Sequence, residues 1–350
     1  MKIQEKYISR CLQIARNARG KAAPNPSVGA VVTYRDRIIG EGYTAAYGGP
    51  HAEVRAIASV TDKELLKEAT LYVSLEPCNH HGKTPPCTEL IIRSGIPRVV
   101  IGIADPHEKV AGTGIARLLE AGCQVTTGVL EAECREHHRR FLTYHEKKRP
   151  YILLKWAQSP DGYIAPDPAL REAARQPHWI TAAASRQLVH KWRAEEQAIL
   201  VGRATAEADD PELGCRDWAG INPLRILLDP ELKVSAGSRL LDGSTPTLVV
   251  CRPGSSKNRV KGVDYLEMEV GSDFADRLAK ELHARNILSV LVEGGALTLA
   301  TFLEAGLWDE ARVFEGTQPL LRGIPAPGIS GRLVGQNAVG PDRLSIWRND

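Results

Sequence analysis

The chain has 350 residues, 45 of them lysine or arginine and 42 aspartate or glutamate, and 43% of the residues are hydrophobic. That length suits two domains with separate cores, and the near-neutral charge lacks the basic footprint of a nucleic-acid binder. Since no apolar run approaches the ~20 residues that cross a bilayer, we expect a cytoplasmic protein without a membrane span.

The first half of the chain predicts an α/β sheet. Its first twenty residues predict an amphipathic helix whose apolar face carries Tyr7, Ile8, Cys11, Leu12, Ile14 and Ala15. Strand patterns follow at 28–33, 37–41, 70–75, 98–104 and 124–128, and helix patterns begin near 51 and cover 88–94, 112–121 and 131–143. Such alternation is typical of a sheet with helices on its faces, whose sites collect beyond the carboxyl ends of the strands.

A second α/β domain follows a polar, charged stretch at 144–150, which predicts a linker. We therefore divide the chain into domains 1–146 and 147–350. The second domain has strand patterns at 151–156, 198–201, 224–228, 247–250 and 289–292, and helix patterns at 183–195, 273–285 and 297–305.

One histidine and two of the seven cysteines, His51, Cys78 and Cys87, form a candidate zinc-binding set in the first domain. Seven scattered cysteines argue against a disulfide framework. Three protein ligands leave a tetrahedral zinc one open position, which is the arrangement of a catalytic site. Glu53 follows the histidine by two residues and would move a proton from water to a leaving nitrogen. These residues predict a zinc hydrolytic deaminase.

Two alternatives remain for the same residues. The interval between Cys78 and Cys87 is longer than in the usual Pro-Cys-x-x-Cys signature, so the set would also be explained as ordinary core residues. A structural zinc site needs a fourth ligand, for which His80 and His81 are candidates. The protein would then be a non-catalytic, zinc-stabilised interaction protein.

A third alternative is a nucleic-acid base deaminase with an accessory domain. Arginines and histidines cluster at 135–140, and further basic residues follow at 147–149. Aromatic residues for base stacking are not interleaved with them, so a solvated linker helix is the favoured explanation.

Glycines follow two predicted strands of the second domain. Gly294 and Gly295 lie between a strand and a helix, and Gly202 ends another strand. Glycine at such a turn lets the backbone approach a phosphate at a helix N-terminus. Neither turn has the GxGxxG fingerprint, and ordinary strand-to-helix turns are the more frequent explanation.

Four runs of the first half resemble the bifunctional deaminase/reductase family of riboflavin biosynthesis: PNPSVGAVV (24–32), GGPHAE (48–53), LEPCNHHGKTPPC (75–87) and DPHEKVAGTG (105–114). In that family the two cysteines have this longer spacing. The resemblance implies a cytidine-deaminase-like α/β/α domain with zinc on His51, Cys78 and Cys87 and with Glu53 as proton shuttle. It also implies that the substrate is bound by Asn25, His80 and Lys83. Thr44 and Arg55 stand where the family often has histidine.

The second half resembles the reductase half of the same family in LLKWAQSPDGYIA (153–165), WIT (179–181), HKWRAEEQAILVGRATAEADDPEL (190–213), NPLRILLD (222–229) and VLVEGG (290–295). The resemblance implies a dihydrofolate-reductase-like α/β fold that uses NADPH. Its substrate residues would be Lys155, Arg193, Leu213, Arg216 and Glu293. Its cofactor residues would be Trp179, Thr181, Thr205, Asp209, Gly295, Ala296, Leu297, Thr298, Leu299, Ala300 and Thr301. Pro160, Tyr163 and Pro177 depart from the family pattern.

The resemblance also implies the reaction. The first domain would deaminate 2,5-diamino-6-(5-phosphoribosylamino)pyrimidin-4-one hydrolytically with zinc, and the second would then reduce the ribosyl chain to a ribityl chain with NADPH. The expected partner is this small pyrimidine ribosylamine phosphate, with neither nucleic acid nor membrane. The sequence leaves a homo-oligomer open.

Overall fold

The computed structural model describes residues 3–80, 85–106, 112–170, 177–255 and 258–349. The chain divides into two compact units, Met1–Lys148 (the first unit) and Arg149–Asp350 (the second unit). The sequence predicts a boundary after residue 146, two residues before this division. No helix in the described ranges is long and apolar enough to span a membrane.

The first unit is a five-stranded sheet with helices on both faces. Its elements are α1 (Ile3–Ala15), β1 (Gly29–Tyr34), β2 (Arg37–Tyr43), α2 (Ala52–Ser59), β3 (Thr70–Leu75), α3 (Cys87–Arg93), β4 (Arg98–Ile103), α4 (Thr113–Glu120), β5 (Gln124–Thr126) and α5 (Glu131–Lys147). The strands are ordered β2-β1-β3-β4-β5. β1 runs antiparallel to β2 and β3, whereas β3, β4 and β5 are parallel. The carboxyl ends of β3 and β4 therefore lie at the same edge.

Two glycines allow helices to pack directly on the strands. A Cβ at Gly29 would lie 2.0 Å from the carbonyl oxygen of Cys11 on α1, and one at Gly42 would lie 2.4 Å from the amide nitrogen of Ala56 on α2. Gly29 pairs with Tyr43, so Gly42 faces the other side of the sheet. The apolar face predicted for α1 is confirmed, because the buried residues of this helix are Tyr7, Ile8, Cys11, Leu12, Ile14 and Ala15.

The second unit has a nine-stranded sheet and a separate two-stranded ribbon. Its helices are α6 (Ala183–Glu195), α7 (Arg203–Asp209), α8 (Phe274–Ala284) and α9 (Ala296–Glu304). Its strands are β6 (Tyr151–Gln158), β7 (Tyr163–Pro166), β8 (Ala198–Gly202), β9 (Leu224–Leu228), β10 (Thr247–Cys251), β11 (Asp264–Glu267), β12 (Ser289–Val292), β13 (Glu310–Glu315), β14 (Gly323–Pro325), β15 (Arg332–Val339) and β16 (Asp342–Arg348). Short 3-10 helices cover Arg16–Ala18, Lys63–Glu68, Pro168–Leu170 and Arg239–Leu241.

The large sheet has the order β11-β10-β9-β8-β12-β6-β13-β16-β15, and β14 pairs with β7. The strands from β11 to β13 are parallel, and β16 and β15 complete the sheet antiparallel. Alternate residues of each strand face two apolar cores. Ile152 and Leu154 pack with α8 and α9, whereas Tyr151 and Leu153 pack with Trp192 of α6. Helices thus cover both faces of a mostly parallel sheet.

One prediction at the junction is wrong. Residues 144–147 do not form a linker, because α5 continues through Lys147 and ends at Lys148 in a left-handed conformation. The first helix, predicted over residues 1–20, covers Ile3–Ala15 and is followed by the 3-10 helix at Arg16–Ala18. The remaining predicted helices and strands are confirmed to within about two residues at each end. Elements that the sequence did not predict are α7, β7, β11 and the strands β13 to β16.

Candidate active sites

Three candidate zinc ligands converge in the first unit. His51 directly precedes α2, Cys78 lies beyond the end of β3, and Cys87 is the first residue of α3. The Nδ1 atom of His51 is 3.5 Å from the Sγ atom of Cys78 and 3.4 Å from that of Cys87. Tetrahedral zinc ligands of this kind are roughly 3.6 Å apart. The three atoms therefore fit a zinc ion, and the described residues add no fourth histidine, cysteine or acid to the group.

The surroundings of Cys78 favour its thiolate. The backbone amide of Cys87, at the start of α3, donates to the Cys78 Sγ atom at 3.4 Å. Hydrogen bonds with the side chains of Cys87 and then His51 lower the pKa of Cys78 to about 4. Since zinc binds the thiolate rather than the thiol, the protein supplies the form of this ligand that the metal needs.

Glu53 lies in the first turn of α2, two residues after the candidate ligand His51. Its side chain is only 4% exposed and interacts with the side chain of Cys87. Burial, followed by the charge of Cys78, raises the pKa of Glu53 to about 7. A carboxyl group with such a pKa both accepts and releases protons near neutral pH.

Two side chains hold the loop that carries Asn25. The Oγ1 atom of Thr44 accepts a hydrogen bond from the amide of Val28 at 2.9 Å. The Nε2 atom of His137 lies 2.8 Å from the carbonyl oxygen of Ser27. Thr44 stands where the family often has histidine, and in this chain it fixes the loop that carries Asn25.

Arg55, the second departure from the family pattern, and the predicted substrate residues His80 and Lys83 complete the positions named from the sequence of this unit. The Arg55 guanidinium donates to the backbone carbonyl oxygen of Tyr43 at 3.0 Å. It also lies 4.3 Å from the centre of the Tyr43 ring. His80 is exposed beyond Cys78. Lys83 and the alternative ligand His81 lie outside the described residues.

A buried carboxylate next to this site was not predicted from the sequence. Glu76 is 3% exposed, and its two oxygens accept hydrogen bonds from the backbone amides of Asp105, Gly112, Gly114 and Ile115 at 2.9 to 3.1 Å. Its hydrogen-bond donors are backbone amides, which almost every residue has, so no sequence pattern identifies them. The only sequence signal is an acid two residues before a candidate ligand.

In the second unit, three predicted substrate residues form one charged cluster. Arg193 donates two hydrogen bonds to the Glu293 carboxylate, both at 2.8 Å, and the Lys155 Nζ atom lies 3.6 Å from it. Burial acts to raise the pKa of Glu293, but the charges of Arg193 and Lys155 lower it to about 2. The cluster has two cations and one anion, which leaves one net positive charge in a buried setting.

Arg216 and Leu213 lie on the loop after α7. The Arg216 side chain is exposed and lies 3.9 Å from both Glu212 and Asp217. The Leu213 side chain is buried in the same apolar core as Trp192, so a contact with substrate would fall to its backbone. Leu213 has a φ of 57°, which is a strained conformation for a residue with a Cβ.

The two glycine turns of the second unit lie side by side. A Cβ at Gly202 would lie 2.4 Å from the Thr298 Oγ1 atom, and one at Gly295 would lie 3.1 Å from the Thr205 Oγ1 atom. Gly295 has a φ of +75° and precedes α9 without a side-chain cap. The first amides of α9 are therefore free of a capping side chain, as a phosphate-binding helix N-terminus requires. These features fit the diphosphate of a dinucleotide.

The remaining predicted cofactor residues lie on α9, on α7 and before α6. On α9, Leu297 is 84% exposed and Thr298 and Leu299 are buried, whereas Ala296, Ala300 and Thr301 are half-buried. Asp209, at the end of α7, is half-buried. Trp179 is 55% exposed beneath the guanidinium of Arg186, which also donates to the Thr181 carbonyl oxygen at 2.7 Å.

The sequences of both units match known families. Residues 150–326 match the RibD C-terminal domain, and residues 1–103 match the cytidine and deoxycytidylate deaminase zinc-binding region. The riboflavin biosynthesis protein RibD of Aquifex aeolicus is 42% identical over 317 residues, covering 89% of this chain and 86% of that protein. This chain belongs to the RibD family. The RibD protein of Escherichia coli is 35% identical over 93% of this chain and 90% of its own length.

Solved structures of RibD proteins have the same fold along the whole chain. The diaminohydroxyphosphoribosylaminopyrimidine deaminase/5-amino-6-(5-phosphoribosylamino)uracil reductase of Thermotoga maritima matches with a TM-score of 0.88 at 36% identity, covering 99% of this chain and 98% of its own. RibD of Acinetobacter baumannii matches with a TM-score of 0.86 at 30% identity, covering 99% of both chains. The RibD-family chain described here is a bifunctional enzyme of riboflavin biosynthesis, with a zinc-binding deaminase unit and an NADPH-using reductase unit. The predicted fold class and activity are confirmed.

Proposed function

We propose that the first unit deaminates 2,5-diamino-6-(5-phosphoribosylamino)pyrimidin-4-one and that the second unit then reduces the ribosyl chain of the product to a ribityl chain. The observation that carries this proposal is the convergence of His51, Cys78 and Cys87 beside the buried carboxyl of Glu53. The relative from Thermotoga maritima, which matches along the whole chain, is a deaminase and reductase of such compounds.

In the deaminase, His51, Cys78 and Cys87 would hold the zinc ion. When bound there, zinc would supply Lewis-acid chemistry that makes water a nucleophile near neutral pH. Glu53 accepts the proton that this water loses and delivers it to the departing amino nitrogen, which leaves as ammonia. Its burial keeps bulk water from competing for that proton. Asn25, His80 and Lys83 bind the pyrimidine, the ribose or the phosphate.

In the reductase, Lys155, Arg193 and Arg216 bind the phosphate and the hydroxylated chain, and Leu213 does so through its backbone. Glu293 orients Lys155 and Arg193 and accepts hydrogen bonds. When bound, NADPH would supply a hydride for the imine form of the ribosylamine, which together with a proton gives the ribityl chain.

The nicotinamide cofactor is held at the carboxyl edge of the large sheet. The residues that we propose for this role are Trp179, Thr181, Thr205, Asp209, Gly295, Ala296, Leu297, Thr298, Leu299, Ala300 and Thr301. Among them, Thr298 lies close to Gly202 and Thr205 close to Gly295, at the paired turns. The free first turn of α9 suits the diphosphate.

The alternative of a nucleic-acid base deaminase receives no support from α5. Arg135 and Arg139 form ion pairs with acids at 2.9 and 2.5 Å, and His137 and His138 are buried. A non-catalytic zinc protein would leave the buried carboxyl group of Glu53 beside the ligands without a role. We also propose a cytoplasmic location, supported by the seven cysteines, none of which forms a disulfide.

Incubation of the protein with the diaminopyrimidinone ribosylamine phosphate, with and without NADPH, tests the proposal. Mass spectrometry should show a gain of about one mass unit without NADPH, since NH is replaced by O. With NADPH the product should gain about two further units from two hydrogens. An unchanged substrate in the presence of stoichiometric zinc would contradict the deaminase role.

A further inference from the structure

We propose that Glu76 is a positioning residue of the zinc site, whose buried carboxylate fixes Cys78 by clamping the end of β3 to the segment that follows β4. The proposal rests on the deaminase function proposed above. It concerns a residue that makes no contact with the substrate and acts only through the ligand two residues further along the chain.

The four hydrogen bonds of Glu76 are divided evenly between its two oxygens. Oε1 accepts from Gly114 at 2.9 Å and Ile115 at 3.1 Å, and Oε2 accepts from Asp105 at 3.0 Å and Gly112 at 3.1 Å. An ionised carboxylate is acceptor only, and charge-assisted bonds to it are about twice as strong as neutral ones. All of these donors face a negative charge that is excluded from water.

The same carboxylate caps α4 from a distance. Gly114 and Ile115 are in the first turn of that helix, so their amides have no partner within the helix. The negative charge also lies at the positive end of the helix dipole. The backbone amide of Glu76 donates to the Ile103 carbonyl oxygen at 2.9 Å, which continues the pairing of β3 with β4. Glu76 therefore joins β3, β4 and α4 at one point.

The contact between these segments is close enough to transmit this restraint to Cys78. A Cβ at Gly114 would lie 2.2 Å from the Pro77 carbonyl oxygen, directly before Cys78. On the other side of the ligand, the Asn79 side chain donates to the Thr113 carbonyl oxygen at 3.3 Å. The residues before and after Cys78 thus both contact the start of α4.

The variant Glu76→Gln tests this role. The amide is neutral, and its NH2 end cannot accept from backbone N–H groups, so up to two of the four bonds are lost. We expect the zinc dissociation constant, measured by competition with a chromophoric chelator, to rise about 10- to 100-fold, as for other groups that orient metal ligands. Reduction of the deaminated substrate should be unchanged.

Glu89→Gln is the matched control. Glu89 of α3 binds Arg117 of α4 at 2.9 Å, so it joins neighbouring elements of the same unit, but it is partly exposed. Its replacement should leave zinc affinity unchanged. Wild-type zinc affinity in Glu76→Gln would overturn the proposal, even with a lowered unfolding midpoint, because a merely structural residue would affect only stability.

A second variant covers the case in which Glu76→Gln does not fold. Gly114→Ala keeps the carboxylate and forces the start of α4 away from Pro77, and zinc affinity should again fall, by about tenfold. Unchanged affinity in this variant would likewise overturn the proposal. Zinc binding by the wild type without ammonia release would contradict the proposed function and leave the comparison of zinc affinities intact.

Discussion

Glu53 is a carboxyl group that is buried away from water beside the candidate sulfur ligands Cys78 and Cys87. Its position in the first turn of α2 follows from the placement of His51 directly before that helix. A side chain of this kind contributes by proton transfer rather than by holding the metal. Its loss should therefore affect one reaction and leave metal binding intact.

We expect Glu53→Gln to lower the kcat of deamination by about 10²- to 10⁴-fold, because the amide cannot carry the proton. Zinc content, measured per chain by atomic absorption, should stay at the wild-type level. The NADPH-dependent reduction of deaminated substrate by the same sample is the internal control. Loss of zinc from this variant would show that Glu53 holds the metal site together instead.

In the reductase, the buried acid with the largest expected effect is Glu293. It is the acid of the described cluster that forms ion pairs with both Lys155 and Arg193. In Glu293→Gln the two cations would repel each other in a buried site. We expect the second unit to lose about 3 kcal/mol in its free energy of unfolding. The KM for the reductase substrate should also rise, because the cations are no longer oriented.

The six tryptophans all lie in the second unit, so urea unfolding followed by tryptophan fluorescence measures this loss. Glu281→Gln is the control, because Glu281 forms an exposed pair with Arg285 on α8 and should cost less than about 0.5 kcal/mol. A Glu293→Gln variant as stable as this control would contradict the expectation.

Individual site residues were predictable to different degrees. The zinc ligands and Glu53 could be found because their residue types are rare and follow one another in a recognisable order. Glu76 could not, because its donors are backbone amides of residues 29 to 39 positions further along the chain. The pairing of Arg193 with Glu293 depends on a contact between α6 and the end of β12 that neither local pattern contains.

Among the elements, α5 carries two buried histidines that make the stability of the first unit depend on pH. His137 lies near Ser27, and His138 binds the Ser74 hydroxyl at 3.1 Å. Burial and then Arg19, with Arg140 and Arg16, lower the pKa of His137 to about 4. Burial, followed by the charges of His137 and Arg19, lowers the pKa of His138 well below its usual value.

Both histidines have folded pKa values below the unfolded value, so unfolding takes up protons in acid. Their contribution to stability is present above pH ~6.5 and is lost as pH falls towards 4. For His137 alone we expect a loss of about 2 kcal/mol between about pH 7.5 and pH 5. Urea unfolding of His137→Gln, followed by circular dichroism, should show this much less pH dependence than wild type. Equal pH dependence in both proteins would exclude His137 as the source.

Two elements show why sequence patterns failed locally. β13 was not predicted because charged residues interrupt its pattern, yet Glu310 and Arg312 are buried and paired with each other at 2.7 Å. The end of α5 was predicted as a linker because of its charge, but lysine and glutamate are good helix formers. The helix ends at Lys147, two residues before Arg149, whose backbone Pro150 restricts.

At the scale of the whole molecule, the two units carry separate reactions. Each has its own sheet, and the zinc ligands all belong to the first unit. Removal of zinc with a chelator should abolish ammonia release and leave the reduction of pre-deaminated substrate unchanged. The tryptophan-detected unfolding midpoint should also stay the same. A parallel fall in both activities would show that the reductase depends on the metal.

The strand order of the second unit has a consequence for synthesis on the ribosome. All five strands of the first sheet are complete once Thr126 has been made. β6 pairs in the described structure with β12 and β13, and β12 begins only at Ser289. The nascent first unit can therefore complete its sheet before the strands that pair with β6 have been synthesised. A chain interrupted before Ser289 would carry a finished first sheet and an exposed strand that invites proteolysis or aggregation.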